Sequence, residues 1–524
     1  MKQLLLPLAA VFPLPLLAQS PHPNVLVSTQ NTPTETAVCI NPKNTNELVA
    51  GANINNQYYS TNGGLTWTWR TLSSPYNVWG DPCVVADTTG AFYYLHLSNP
   101  NPAGGLGFPF IDRIQVQRAA AAATPFTLRG TFGLNAPKQQ DKEWAAVDRR
   151  TNALYATWTE FDSYGSLASR DSSRILFTRS LDQGQTWSTP RRISKRAGDA
   201  VDEDETVEGA VPAVGPNGEL YTAWAGPDGL VFNRSLDAGL TWLPRERVLL
   251  PVPGGWDFAI SGVYRANGLP ITACDASRGP YRGNVYVNWS DQRNGPSDTD
   301  VWLLRSEDGG QTWSAPIRVN DDAPGRQQFF TWMTVDQATG YLWFVFYDRR
   351  NYTASATDVR TDVYAARSTD GGRTFQNFRI SQSPFSPNAA TFMGDYSNIT
   401  AHNNVVRPVW TRLDNTVSSV WTALIDVNVL AGAAPKAAAV RVQAYPNPAT
   451  TVLNVSVQLP APQRLSAELR TLDGRRVRRF LAGQAYAAGT QQLSLPVADV
   501  AAGAYLLAVQ VGEEQLFRKV MVRH

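Results

Sequence analysis

SLDQGQTW at residues 180–187 returns as SLDAGLTW at 235–242 and SEDGGQTW at 306–313, and more loosely as STNGGLTW at 60–67 and STDGGRTF at 368–375. A segment rewritten at intervals marks a repeat architecture, and the period decides the fold before any single residue does. The octets start 120, 55, 71 and 62 residues apart, so one copy is missing near residue 120. RAAAAATPF at 118–126 fills that place as a degenerate copy, with Phe126 where the others carry Trp.

A second pattern precedes each octet: AVDRRTNALYATWTE, AVGPNGELYTAWAG, CDASRGPYRGNVYVNWSD and TVDQATGYLWFVFYD. Each reads as a strand, a Gly or Asn turn, and an aromatic-rich strand. A third strand leads into the octet (ILFTRS, LVFNRS, VWLLRS, VYAARS) and a fourth leaves it (RRIS, IRVN, FRIS). The unit is therefore a four-stranded antiparallel meander. It cannot bury both faces alone, so copies stack side by side, and radial stacking of such units is a β-propeller. The octet joins strands three and four. Asp182, Asp237, Asp308 and Asp370 are expected to accept backbone N–H groups of the turn. Trp187, Trp242 and Trp313 supply apolar surface between sheets.

The pattern S-x-D-x-G-x-T-W is similar to the Asp-box, or bacterial neuraminidase repeat, and residues 24–430 resemble the sialidase-like propellers. The expected class is thus all-β. Sialidases have six blades. Matching first and second strands here gives seven, at 36–52, 81–97, 141–160, 205–226, 271–291, 328–348 and 391–412. The seventh lacks an octet, and NVLVSTQ at 24–30 is expected to supply its fourth strand by pairing with residues 420–425.

The chain has 524 residues, 43% hydrophobic, with 16 Trp, 19 Tyr and a formal charge of +2. Such a composition describes a folded protein, and near-neutral charge makes no electrostatic case for nucleic acid. Residues 1–18, one Lys followed by an apolar stretch broken by Pro13 and Pro15 and ending at Ala18, read as a secretory signal peptide. That run is shorter than the roughly 20 residues of a spanning helix, and no later segment is apolar enough for one, so no transmembrane segment is expected in the mature chain. Three cysteines, Cys39, Cys83 and Cys274, without a CxxC, and four scattered His imply neither a disulfide scaffold nor a metal or cofactor site.

LAGAAPKAAA at 430–439 marks a low-complexity linker, placed at 431–443. Residues 435–524 hold 11 Lys/Arg against 5 Asp/Glu, so the tail is basic and the body mildly acidic. From 444 to 524 the chain resembles the sorting domain of the type IX secretion system of Bacteroidetes, a small β-sandwich. Tyr445, Pro446, Asn447, Pro448, the Asp473–Gly474 turn, Gly503–Tyr505 and LysValMetVal at 519–522 carry the resemblance. It implies handling by the type IX secretion machinery and a place outside a Gram-negative cell, secreted or on its outer-membrane surface.

Function in such repeats sits on the loops that lead into strand one and join strands two and three. Those positions hold Asp81, Asp141 with Trp144, Glu160 and Asp162, the acidic run 202–208, Asp291 with Arg293, Asp348 with Arg350, and Asp395, Tyr396 and Arg412. Carboxyl groups beside aromatics are the equipment of sugar hydrolysis, while Asp and Arg at strand ends also pair with one another. GDYSNI at 394–399 is similar to the sialidase tyrosine segment, which implies Tyr396 as nucleophile, and 206–220 is similar to the segment of its partner glutamate, which implies Glu208. Asp81, Asp141 and Asp395 are the candidate acids and bases. Trp144, Glu160, Asp291, Arg293, Asp348, Arg350 and Arg412 are the candidate substrate contacts. The family's Arg-Ile-Pro segment is replaced by TETAVCINP, and AlaTrpAlaGly at 223–226 stands where an arginine is expected. The expected partner is thus a glycan or glycoconjugate, cleaved as by a glycoside hydrolase of unspecified linkage or bound without turnover.

Overall fold

The computed structural model describes residues 22–427, 430, 441–459, 462–472, 475–487, 489–511 and 514–524. The expected signal peptide, residues 431–440 and the Asp473–Gly474 turn lie outside them. The chain divides into two compact units between residues 429 and 430.

Among the described residues the first unit contains seven four-stranded antiparallel sheets, numbered I to VII along the chain. Their leading strands are Thr34–Ile40, Gly80–Ala86, Gln139–Val147, Glu208–Val214, Ile271–Cys274, Gln328–Val335 and Asn398–His402. Each leading strand neighbours that of the next sheet, and that of sheet VII neighbours that of sheet I. Sheet VII takes its fourth strand from the start of the chain: Asn24–Ser28 pairs with Val417–Ala423, Asn24 opposite Ala423 and Leu26 opposite Trp421. Trp158, Trp224, Trp289, Trp343 and Trp410, all from second strands, are fully buried, and aromatic area of this size dominates a core. Buried hydroxyls tie one sheet to the next: Thr157 Oγ1 donates to the Ala210 carbonyl at 2.6 Å, Tyr347 to that of Thr411 at 2.6 Å, and Thr36 to that of Val409 at 2.9 Å. Cys39, Cys83 and Cys274 are free thiols.

The octets fold alike. Ser180 Oγ donates to Asp182 at 2.8 Å and accepts the Gly184 N–H at 2.8 Å, while Asp182 also accepts the Thr186 N–H at 2.9 Å and its hydroxyl at 2.6 Å. Asp237, Asp308 and Asp370 accept the N–H and hydroxyl of Thr241, Thr312 and Thr374 in the same way. Gly184 stands at φ 82°, where a side chain is strained. The tryptophans reach back to the preceding sheet: Trp187 packs on Phe132 at 4.6 Å between centroids, Trp242 on Phe177 at 5.0 Å, and Trp313 on Phe232 at 5.0 Å. The turn closes one sheet and glues it to its neighbour.

The second unit has two antiparallel sheets, one of three strands and one of four, over a shared core that includes Val455, Leu469, Leu495, Leu507 and Val520. A strand already runs over Arg441–Tyr445 and buries Val442 in that core, so the linker ends earlier than its sequence suggests. Asn447 accepts the Met521 N–H at 2.8 Å and donates to the Lys519 carbonyl at 3.1 Å, and Tyr505 donates to the Ala501 carbonyl at 2.8 Å. These contacts hold the Tyr-Pro-Asn-Pro segment and the terminal strand in register.

Candidate functional site

Five leading strands break register at the same place in the repeat, between Thr34 and Ala37, Gly80 and Cys83, Asp141 and Trp144, Glu208 and Val211, and Phe329 and Trp332. Within each break one residue is left-handed: Glu35 at φ 50°, Asp81 at 49°, Lys142 at 49°, Gly209 at 77° and Phe330 at 49°. A bulge inserts one residue and re-aims its side chain. Outside glycine the left-handed turn costs about 1–2 kcal/mol, and strain of this kind collects at functional sites. Glu35, Asp81 and Lys142, from three consecutive sheets, are thereby directed at one another.

Lys142 Nζ lies 3.2 Å from Asp395 Oδ2 and 3.7 Å from Asp81 Oδ2. Asn53 bridges sheets I and II: its carbonyl oxygen accepts the Asp81 N–H at 2.7 Å and its amide donates to Glu35. Asp395 is held from its other side by Arg265, whose Nε donates to Oδ1 at 2.8 Å and whose Nη2 bonds Oδ2. Arg265 Nη1 also lies 3.4 Å from Asp202, which accepts the Tyr164 hydroxyl at 2.8 Å. Three carboxyl pairs neighbour one another and influence each other's titration: Asp81 with Asp141, Glu35 with Asp395, and Asp202 with Glu208. Among the described residues no group of three or more His, Cys, Asp or Glu is arranged to hold a metal ion.

The pairs are split in charge. Burial pushes Asp141 well above the ordinary carboxyl value, with Asp81 and Asp202 adding to it against Lys142. Glu35 is raised by burial and by Asp81 and Asp395, and Glu208 by burial and by Asp202. Asp395 goes the other way. Burial opposes its charge, but Lys142 and Arg265 outweigh burial and hold it below the ordinary value. Lys142 likewise stays charged, because Asp81, Asp395, Asp141 and Glu35 outweigh the burial of its ammonium. Neutral and anionic carboxyls thus stand side by side, the condition for dividing acid and base roles.

Asp81, Asp141, Lys142, Glu35 and Arg265 line a cleft of about 580 Å³ whose walls include Trp79, Phe110, Tyr164 and Phe392. On the inner side of Lys142 a second, tighter cavity is lined by Asp395, Tyr396, Trp144 and Trp332.

The remaining expected residues are placed otherwise. Tyr396 does not pair with Glu208: its hydroxyl meets Asp81 at 3.4 Å, its ring packs edge-on to Trp144 at 5.0 Å, and burial pushes its phenol well up. Glu208 is fully buried, and neither of its oxygens has a conventional hydrogen-bond partner, so Asp202 is its neighbour. Trp144 is no sugar platform, being 7% exposed and packed on Trp332 at 4.5 Å. Glu160 is buried against Arg174 at 3.0 Å. Arg293 is bound to Asp291 at 2.6 Å, Arg350 to Asp348 at 2.8 Å, and Arg412 to Asp414 at 2.5 Å. None of these nine lines the cleft. The charges of Arg293, Arg350 and Arg412 are neutralised at strand ends, each by an aspartate two positions away.

Glu35, Lys142 and Arg265 were missed as site residues by sequence reasoning, and Asp202 was read only as part of the acidic run 202–208. For Glu35 and Lys142 the signal was present, since they occupy the same place in the repeat as Asp81. Arg265 belongs to an inserted hairpin, Asp257–Phe258 paired with Ala266–Asn267, outside the repeat.

Residues 443–523 match the secretion system C-terminal sorting domain, so the chain carries an export address and acts as a secreted or cell-surface protein. No described helix is long and apolar enough to cross a membrane. No curated protein matches the chain. Among solved structures it is similar to a Hadza microbial sialidase, at 15% identity over 73% of this chain and 74% of that one with a TM-score of 0.41. It is also similar to Trypanosoma rangeli sialidase in complex with the inhibitor DANA (11%, 87% and 85%, 0.39) and to a Penicillium chrysogenum alpha-L-arabinanase complexed with arabinobiose (12%, 66% and 93%, 0.40).

Proposed function

We propose that residues 24–430 form a seven-bladed propeller, closed by the strand Asn24–Ser28, which is exported and cleaves glycosidic bonds of uncharged glycans or glycoconjugates in the carboxyl-lined cleft. The observation that carries this reading is two buried carboxyls beside one ammonium in opposite surroundings: Lys142 and Arg265 grip Asp395 and hold its carboxyl below the ordinary value, while burial beside Asp81 pushes that of Asp141 well above it. Asp141 donates its proton to the glycosidic oxygen as the bond to the anomeric carbon breaks. Asp395, which lines the adjoining inner cavity and meets the cleft through Lys142, stabilises the glycosyl cation by its charge, and water adds to that carbon. The proton released by the water returns to the Asp81–Asp141 pair. Trp79, Phe110, Tyr164 and Phe392 offer apolar faces to a sugar ring.

The charge of the cleft speaks for uncharged substrates. Lys142 and Arg265 are its basic lining residues, and both are already bonded to Asp395. Arg293, Arg350 and Arg412 are paired elsewhere. A sialic carboxylate would meet carboxyl groups rather than an arginine cluster. The alternative reading, a propeller that binds glycans without turnover, is favoured by the double clamp on Asp395, which holds Lys142 and Arg265 in place and leaves Glu35, Asp81 and Asp141 lining the cleft as hydrogen-bonding partners for sugar hydroxyls.

The test is reducing-sugar release by the purified protein from a panel of neutral and sialylated glycans, with binding measured in parallel. Release from neutral glycans, lost in Asp141→Asn with binding retained, is the expected result. Binding without release from any glycan overturns the hydrolase in favour of the binding protein, and preferential release of sialic acid overturns the substrate assignment.

A further inference from the structure

Arg265 reaches the site from outside the repeat. It stands at the end of the hairpin inserted between sheets IV and V, and the same hairpin sends Asn267 Nδ2 to the Asp395 carbonyl at 2.9 Å. The first half of the insertion is anchored on the acidic loop, where the Asp257 N–H donates to Asp204 at 2.7 Å. Tyr264 is 58% exposed at its tip and meets Phe392 edge-on at 6.0 Å, and the Arg265 guanidinium sits 5.2 Å from the Phe392 ring. The insertion thus straps the loop before sheet IV to the loop before sheet VII, and its one basic side chain in the cleft ends between Asp395 and Asp202.

Resting on the hydrolase reading of the cleft, we infer that Arg265 is a positioning residue that fixes the orientation and charge of Asp395 while tying the Asp202–Glu208 pair to the same guanidinium. The groups facing Asp395 are Lys142 from sheet III, Glu35 from sheet I, Arg265 from the insertion and, across Lys142, Asp81 from sheet II. Lys142 touches Asp395 through a single point charge, whereas the guanidinium fork grips both oxygens and sets the plane of the carboxylate. Removing the fork leaves one cation where there were two.

The sign follows from the lowered Asp395 value. Its contribution to stability is present above the ordinary carboxyl value and is lost as pH falls toward the folded one. Without Arg265 the folded value rises, and this acid-side contribution shrinks.

Two measurements on the full chain test the inference with Arg265→Gln, Arg265→Lys and Asp395→Asn. The first is the melting temperature followed from about pH 2.5 to about pH 6. Asp395→Asn is expected to flatten the acid-side loss. Arg265→Gln flattens part of it and adds nothing in the Asp395→Asn background, while Arg265→Lys restores part of what Gln removes. The second is kcat/KM against pH on whichever neutral glycan is cleaved: in Arg265→Gln the acid limb moves up by roughly one unit, and kcat falls about tenfold or more with KM nearly unchanged. Equal acid-side loss in wild type and Arg265→Gln, or equal effects of that change with and without Asp395, overturns the clamp. The melting arm needs no turnover, so a protein that cleaves nothing yet shows the Arg265–Asp395 coupling defeats the hydrolase reading and leaves the clamp standing. If Arg265→Gln fails to fold, the Arg265→Lys profile decides: one identical to wild type in both arms overturns the role of the fork.

Discussion

The Tyr396 hydroxyl approaches Asp81 Oδ1 at 3.4 Å, which joins the loop before sheet VII to the leading strand of sheet II. A tyrosine nucleophile needs an adjacent base to lose its proton. Here the adjacent group is already engaged with Lys142 and with Asp141, and burial keeps the phenol protonated.

Tyr396→Phe is therefore expected to lower stability by about 1 kcal/mol, the low end for a bond to a carboxyl because 3.4 Å is long. Glycan turnover should fall less than tenfold. Thermal melting and initial rates check this. A loss of a thousandfold, with a glycosyl adduct on Tyr396 in the mass spectrum of wild type, would restore the covalent route.

Asp141→Asn removes the proton donor and is expected to reduce kcat by roughly 10²–10⁴-fold. Because the Asp141 value is raised, wild-type activity should decline as pH rises through it. Stability has the same sign: a carboxyl held neutral by the fold favours the folded state below its ordinary value and loses that advantage as pH climbs through the folded one. In Asn the neutral state is permanent, so the alkaline side of the stability profile flattens. A profile unchanged from wild type above pH 5, as set in the assay, contradicts this.

The octets make a separate, structural prediction. Asp182 is drawn down to about 2, chiefly by the hydroxyl and N–H of Thr186. Asp182→Ala is expected to destabilise the first unit by about 1–2 kcal/mol, since several turn donors lose one acceptor at once but remain open to water. The loss should lessen as pH falls from about 4 toward 2, where wild-type Asp182 itself takes up a proton. Denaturant titration at two pH values reads it. Equal losses at both would show that the turn is held by packing of Trp187 rather than by the carboxylate.

Export is the fourth. Removal of residues 444–524 is expected to leave the protein folded but inside the cell envelope, whereas the full chain reaches the medium or the cell surface without its first 18 residues and, by the sorting-domain resemblance, without roughly its last 80, one small domain. Mass spectrometry of the extracellular fraction checks both ends. A major extracellular species still ending at His524 contradicts the processing.

The sheets were readable because each repeat writes the same strands, octet and turn, so a weak local signal is checked several times over. Even the odd partner of Val417–Ala423 could be assigned to residues near 24–30, since the seventh unit lacked a fourth strand and the first strand had no other place. The site was less legible. Asp81, Asp141 and Asp395 stand out as acids at leading-strand ends, but which of them meet depends on bulges, and the bulge is a register shift that leaves no residue type behind: Glu, Asp, Lys, Gly and Phe all occupy it. Trp144 looked like a sugar platform because a rim tryptophan usually is one, whereas the bulge at Asp141 turns it inward against Trp332. Arg265 had no repeat to betray it.

The pairing of Asn24–Ser28 with Val417–Ala423 has a consequence in time. Within the first unit the strand Asn24–Ser28 is made early and finds its partner only when nearly all of that unit has followed. Until then sheet VII lacks its outer strand, and joining segments so distant in the chain makes closure a late and slow event. A chain halted partway through translocation would therefore hold a row of finished sheets with two open ends, and would be recognisable to proteases and to aggregation by those ends long before its final strand arrived.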